Sequence, residues 1–405
     1  MGLRTRKATA GVVGVMVLPL ALAACGSSSK GKATASTAPS SGGSSAAAQT
    51  GGTVTIGFQG PLSGPNSPQL GINGVDGVKL AIDQANKAKA LPYTLKLDQS
   101  DDQGTPDQGP TAARKLVDDK VIAVIGPMFS GATKASEPVF SQAGILSVSP
   151  SATNPALTTL GFKTFVRVIA PDTVQGKAAA DYVVKKLGAK KVFSLDDNSD
   201  YGTGLSKALE AELKVDGASV THDGINPTKN YTSEATKIIG DNPDAVYYSG
   251  YYSEFGPLAK ALKGAGYKGQ LISGDGSNDD QFIKDAGGAS IANGAYLTCA
   301  CGDANSDPKA AAFVTAYKAL NGAAPGTYSG EAYDATNALI QVLKGLGDKP
   351  SASAVVDAYK KVDYTGLTKQ IKFTASGEVE GDAVYVYQVK DGKRVVLGLV
   401  SDLLK

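Results

Sequence analysis

Histidine and tryptophan are nearly missing from this chain: 405 residues contain one of the former and none of the latter. A metal centre built on several histidines is therefore excluded. A Ser-His-Asp triad would have to use His222, which sits in VTHDGIN and reads as a strand end entering a loop, where a solvated side chain is the ordinary outcome. An excess of either charge is missing too. The formal net charge is +2, and without the first 24 residues, which carry Arg4, Arg6 and Lys7 and no acid, 37 basic side chains face 38 acidic ones. A near-neutral surface argues against nucleic acid as a partner. No G-x-S-x-G, Walker or complete G-x-G-x-x-G pattern occurs. Gly202-Thr203-Gly204 comes nearest, but it lacks the third glycine and follows an acidic turn that repels phosphate. The pairs Asp101-Asp102, Asp196-Asp197 and Asp279-Asp280 fall in turns or at helix starts, where aspartate caps. The expectation is a protein that is not an enzyme, with no cofactor and no metal.

What is present is a leader, a tether and a long apolar-rich body. The N-terminus has a basic start and a short apolar run ending in Leu22-Ala23-Ala24-Cys25. The run is short for a membrane span and has signal-peptide flanks. Its last four residues resemble a bacterial lipobox, in which cleavage leaves Cys25 as a lipid-modified N-terminus. Residues 1–24 are therefore expected to be a signal peptide and 25–51, rich in Ser, Gly and Ala, a lipidated flexible tether. The body should then work outside the cytoplasm, anchored to the cell membrane through Cys25.

From residue 52 the chain alternates strand and helix patterns. Residues 53–58 (TVTIGF) read as a strand, 71–90 carry apolar residues at helical spacing, and 121–125 (VIAVI) form the continuous apolar run of a strand buried on both faces. The alternation restarts after residue 169 and runs through strands at 191–195, 218–223, 245–249 and 270–273. This is the signature of doubly wound parallel sheets, here in two α/β lobes. The tail differs, with helices at 309–320, 330–345 and 352–362, then strands at 370–373, 384–389 and 395–399. Asp391-Gly392 marks a hairpin turn. A tail returning to both lobes makes several crossings, hence a multi-strand hinge.

In open parallel sheets, ligands sit beyond the carboxyl ends of the strands. After VIAVIGP comes Met128-Phe129-Ser130-Gly131, and after ILSVSP comes Ser151-Ala152-Thr153. Hydroxyls at a helix start can cap the helix or hold a carboxylate, and one group can do both. The second half offers Tyr201 after LDDNSD, Tyr251 and Tyr252 after VYYSG, and Asp275 after LISG. Taken singly these are packing and turn residues. Together they place anion-seeking groups on one lobe and cation-seeking groups on the other, which fits a zwitterion.

The ordered set PLSGP (61–65), IGP…S (125–130), PSATNP (150–155), DYGTGL (200–205), DAVYYSGYYSE (244–254) and AYDA (332–335) resembles the branched-chain amino-acid-binding proteins of ABC importers, of the type I periplasmic-binding fold. The resemblance runs from residue 52 to the end. It implies an extracytoplasmic solute-binding lipoprotein, a monomer, that delivers a small, aliphatic or branched-chain amino acid to ABC permease membrane subunits. Ser130, Ser151 and Thr153 would hold the ligand carboxylate. Thr153 and Asp275 would meet the ammonium, Tyr201 and Tyr251 would close over the ligand, and Tyr328 would line the side-chain pocket. The alternative within this fold is a receptor or sensor for an amide, urea or aromatic acid. Three departures stand out. Asp275 occupies a position that is commonly Glu, Leu70 one that is often aromatic, and Gly104 and Phe129 the two ends of a disulfide found in some relatives. The expected lobes are 52–170 plus 300–379, and 171–299 plus 380–405. Cys299 and Cys301 lie two apart on a strand, near the upper limit for a disulfide. Closure requires a local bend and is favoured over two free thiols.

Overall fold

The computed structural model describes residues 51–405. The signal peptide, Cys25 and nearly all of the tether expected above lie outside the described residues. Five strands form the first sheet: β1 (Thr53–Gly60), β2 (Thr94–Asp101), β3 (Ala123–Ile125), β4 (Leu146–Ser149) and β5 (Phe165–Arg167). They are parallel, in the order β2-β1-β3-β4-β5. A second sheet uses β6 (Lys191–Asp196), β7 (Ser219–Gly224), β8 (Ala245–Ser249), β9 (Gln270–Ser273) and β10 (Tyr296–Cys299), again parallel. After a small pair, β11 (Tyr364–Thr365) with β12 (Gln370–Ile371), the chain adds β13 (Tyr385–Lys390) antiparallel to the edge at β10, and β14 (Lys393–Leu399) antiparallel to β13. The order in the second sheet is β14-β13-β10-β9-β8-β6-β7.

Helices alternate with these strands as the periodicity requires. In the first half they are α1 (Pro68–Lys87), α2 (Gly109–Asp118) and α3 (Ser130–Ala143). In the second they are α4 (Asp172–Asp181), α5 (Asp200–Val215), α6 (Thr232–Asp241) and α7 (Tyr252–Gly264), with two short helices, α8 (Asp280–Asp285) and α9 (Ala289–Ala292), before β10. Beyond β10 come α10 (Ala311–Asn321), α11 (Ser329–Leu346) and α12 (Ala352–Tyr359). These return to the first sheet: α11 lies along α1, and α12 packs near β4. A Cβ on Gly77 of α1 would lie 2.3 Å from the Ser329 carbonyl oxygen, so only glycine permits this approach. The β13–β14 hairpin then rejoins the second sheet. Its turn residues Asp391 and Gly392 have φ of 50° and 71°, the left-handed pair of a type I′ turn.

The continuous apolar runs are the sheet centres. All of β3 (AVI) and β8 (AVYYS) is buried, as strands covered by helices on both faces must be. Among the described residues no helix is long and apolar enough to cross a membrane. Cys299 and Cys301 are joined as a disulfide with Cα atoms 5.0 Å apart. The bend this needs falls at Ala300, where β10 has ended. His222 lies on β7, inside the strand expected at 218–223 rather than in the loop after it, with Nδ1 2.6 Å from a Glu210 carboxylate oxygen and Nε2 3.6 Å from Asp196.

One buried acid sits at the α3–β4 contact. Glu137 accepts a hydrogen bond from Ser147, but burial dominates and pushes its carboxyl up to about 8. The folded chain therefore keeps a proton that the unfolded chain loses near pH ~4.3. The resulting stability is complete below that pH and is lost as pH rises through about 8. Urea-unfolding midpoints measured from pH 5 to 8 should fall less steeply for Glu137→Gln than for the wild type.

Candidate functional site

Three groups of loops meet at the carboxyl ends of the two sheets. From the first sheet, β3 runs into Gly126–Phe129 and α3, and β4 into Ser149–Thr153. Gly126 has a φ of 112°, and a Cβ there would lie 2.2 Å from the Gln59 carbonyl oxygen. Glycine is thus required to swing the chain toward Ser130. From the second sheet come the start of α5 with Tyr201, the end of β8 with Tyr251, and the turn after β9 with Asp275. Tyr328, just before α11, completes the ring.

These side chains enclose a cavity of about 10 Å³, room for one water molecule, lined by Met128, Phe129, Ser130, Ser151, Tyr201, Tyr251, Asp275, Gly276 and Tyr328. Six of the seven ligand-binding residues expected from the sequence line it. Thr153 does not, though it is fully buried, and its carbonyl accepts the Asp172 N–H at 2.9 Å. Leu70 is buried in α1 and is absent from this wall.

Asp275 is the centre of the arrangement. Its Oδ1 accepts from Gln175 Nε2 and from the Tyr201 hydroxyl, both at 2.6 Å, and its Oδ2 accepts from the Tyr328 hydroxyl at 2.6 Å. Burial raises its carboxyl above the ordinary range, against the lowering effect of these three donors. Burial, then the charge of Asp275, push the Tyr201 and Tyr328 phenols well up, so both remain donors. Tyr328 itself has a φ of 69°, unusual for a non-glycine residue.

The hydroxyls of the first half do not act as helix caps. Ser130 is the first residue of α3, and its Oγ accepts the Asn154 N–H at 3.2 Å. Ser151 donates to the Met128 carbonyl. The cap of the following 3-10 turn is Asn154. Phe129 stacks on Tyr251 with ring centroids 4.3 Å apart, bringing a first-sheet loop against a second-sheet loop. The missing disulfide has a physical counterpart: a Cβ on Gly104 would lie 2.9 Å from the Phe129 ring, which occupies that space.

Two residues were not singled out from the sequence. Asp172 and Gln175 begin α4 one turn apart, and that spacing on a helix start after β5 is the signal that could have found them. Asp172 is fully buried, and neither carboxylate oxygen has a hydrogen-bond partner of ordinary geometry among the described residues. Burial first, and the charge of Asp275 second, hold its carboxyl well above the usual range. Arg167, also buried, tempers this charge. Its Nη1 donates to the carbonyls of Ala152 (3.0 Å) and Asn154 (2.8 Å), and its Nε to Glu378 at 2.6 Å. That guanidinium fixes the loop carrying Ser151 and Thr153. Elsewhere, Asp181, Glu212 and Asp216 approach one another closely enough to hold an ion, but Lys177 and Lys185 bridge them.

Removing the guanidinium leaves Glu378 and two buried carbonyls without their donor. Arg167→Ala should cost about 3–5 kcal/mol in urea unfolding, and Arg167→Lys less.

A sequence model of the family described as periplasmic binding protein matches residues 53–394. The chain is similar to the Leu/Ile/Val-binding protein BraC3 of Rhizobium johnstonii, 33% identical over 84% of this chain and 93% of that protein. It is 28% identical to the leucine-, isoleucine-, valine-, threonine- and alanine-binding protein of Pseudomonas aeruginosa, over 83% of this chain and 90% of that one. Among solved structures, the branched-chain amino acid transporter substrate-binding protein LivJ of Streptococcus pneumoniae, in complex with isoleucine, superimposes with a TM-score of 0.78. It is 29% identical and covers 85% of this chain and 99% of its own.

Proposed function

Because the chain belongs to the periplasmic binding protein family, whose members work outside the cytoplasm, we propose that it captures a small aliphatic amino acid, of the branched-chain class, and passes it to an ABC permease. The observation that carries this reading is the opposition of charge preferences across one buried cavity. On one side are Ser130, at the start of α3 where free N–H groups and a partial positive charge suit a carboxylate, and Ser151 in the loop after β4. On the other is the acid Asp275. A zwitterion placed between them satisfies both.

Entry of the ligand exchanges partners. The ammonium takes the place of phenol donors on Asp275, and the carboxylate recruits the hydroxyls of Ser130 and Ser151, with Thr153 behind them. Tyr201 and Tyr251 contact the ligand only when the loops of both sheets meet, so binding favours the closed form. Phe129, Tyr251 and Tyr328 wall the cavity and favour a compact side chain. Nothing in this scheme needs turnover, and the chain acts as a receptor rather than an enzyme. Cys25 supplies the lipid anchor that keeps a monomeric receptor beside its permease.

Refolded protein should gain about 2.7 kcal/mol of stability from leucine, isoleucine or valine at ~100 times the dissociation constant, read by thermal shift. Asp275→Ala should weaken that binding by about 1.5–3 kcal/mol, roughly ten- to 150-fold. A shift with an amide, urea or an aromatic acid, and with none of these amino acids, would sink the reading.

A further inference from the structure

A second cavity, of about 320 Å³, lies where the loop after β10, the start of α11 and the β13–β14 hairpin meet. It shares no lining residue with the cleft described above. It adjoins a wider hollow of about 580 Å³, with Asp303 and Arg394 common to both walls. Its size falls at the lower end of that of small-molecule sites, and it has their composition of apolar walls with a few convergent polar groups. The apolar part comes from Pro308, Leu367, Tyr385 and Val396.

Three charged groups line this cavity: Arg394, Asp303 and Asp307. Arg394 is held rigidly. Its Nε donates to Asp280 at 2.8 Å, and its Nη1 to the Asn278 carbonyl (2.7 Å), the Asn278 side chain (2.9 Å) and Thr327 (3.3 Å). Its Nη2 donates to no described residue. The guanidinium is thus pre-organised with the two N–H groups of Nη2 to spare, which can donate charge-assisted bonds to a carboxylate oxygen. Asp303 carries the opposite charge on the same wall. Its Oδ1 accepts the backbone and side-chain N–H groups of Asn305, both at 3.0 Å, while Oδ2 accepts from no described residue. A dianion would be repelled by Asp303 and Asp307, which both line the cavity. A simple amine would leave Arg394 Nη2 without an acceptor, since Asp280, Asn278 and Thr327 engage only Nε and Nη1. A zwitterion meets both signs.

We propose that this cavity is a second binding site, for a small zwitterion with an apolar body, such as an apolar amino acid. Its carboxylate pairs with Arg394 Nη2 and its ammonium with Asp303, and its body packs against Leu367, Tyr385 and Val396. The walls come both from the segment that returns to the first sheet and from the hairpin of the second. An occupant touching both is sensitive to the angle between them, so occupancy here and occupancy of the cleft influence each other reciprocally.

The probe is photoleucine, an apolar amino acid carrying a diazirine, irradiated with the full-length protein with and without leucine at ten times its dissociation constant for the cleft. Adducts are mapped by peptide mass spectrometry. The expected result is labelling within residues 302–310 and 385–396 that survives this leucine, while labelling at 128–130 and 250–252 disappears. Val396→Trp, which fills the cavity, should abolish the first set by at least tenfold and leave the second. Labelling confined to the cleft, or first-set labelling that persists in a folded Val396→Trp protein, overturns the second site without touching the cleft reading. Labelling of the first set alone upholds the second site and counts against the cleft. The wild-type map decides the matter even where the variant does not fold.

Discussion

A buried carboxylate must be matched by donors or lose its charge, and Asp275 meets that demand by gathering three elements distant in sequence. Gln175 comes from α4, Tyr201 from α5 and Tyr328 from the approach to α11, each at 2.6 Å. The last of these ties a turn of the second sheet to the segment that packs on the first. It also accounts for the backbone of Tyr328. A left-handed conformation costs a non-glycine residue of order 1–3 kcal/mol unless the surroundings over-determine it. Burial of the ring and the bond to Asp275 do so here. The acid at the centre of the cavity is therefore also the acid that shapes its walls.

Arg167 plays the corresponding part behind the first-sheet loops. It spends its donors on the carbonyls of Ala152 and Asn154 and on Glu378, so it fixes the loop without presenting its charge to the cavity. Asp172 lies between the two systems, fully buried and influenced by both Arg167 and Asp275. Two acids and one guanidinium thus share one low-dielectric region. Burial raises both carboxyls; at Asp172 the charge of Asp275 adds to it, while at Asp275 three hydrogen-bond donors oppose it.

Much of this was legible in the sequence, for a physical reason. Parallel strands covered on both faces must be continuously apolar, so β3 and β8 declared themselves, and the rule that ligands sit at carboxyl strand ends then selected Ser130, Ser151, Thr153, Tyr201, Tyr251, Tyr252 and Asp275, of which Thr153 and Tyr252 stay off the cavity wall. Tyr328 is different. It sits in a turn before a helix, and only the family resemblance pointed to it. Thr153 was chosen by the same strand-end rule as Ser151, and the structure places it beside Asp172 rather than on the cavity wall. Gln175 and Asp172 were passed over because polar residues in a first helical turn are ordinarily solvated. What makes them exceptional is tertiary burial, which single residues do not announce. His222 falls within the strand expected at 218–223, which β7 carries on to Gly224, and only the loop part of its reading is corrected.

Replacing a covalent pair by Gly104 and Phe129 bears on how the cleft opens. In this chain the Phe129 ring takes up the space above Gly104 and presents its face to Tyr251, converting a link within one half into a contact between halves. Ser67 with Ser253 (3.0 Å), Gln69 with Tyr252 (3.0 Å) and Asn73 with Asp279 (3.0 Å) add further contacts across the cleft. Hydrogen bonds and ring contacts of this kind contribute about 1 kcal/mol each, because water competes for the same groups when they part. Their sum is comparable to the cost of ordering the interface. These contacts are few and individually weak, so any ligand that touches both halves shifts the balance toward closure.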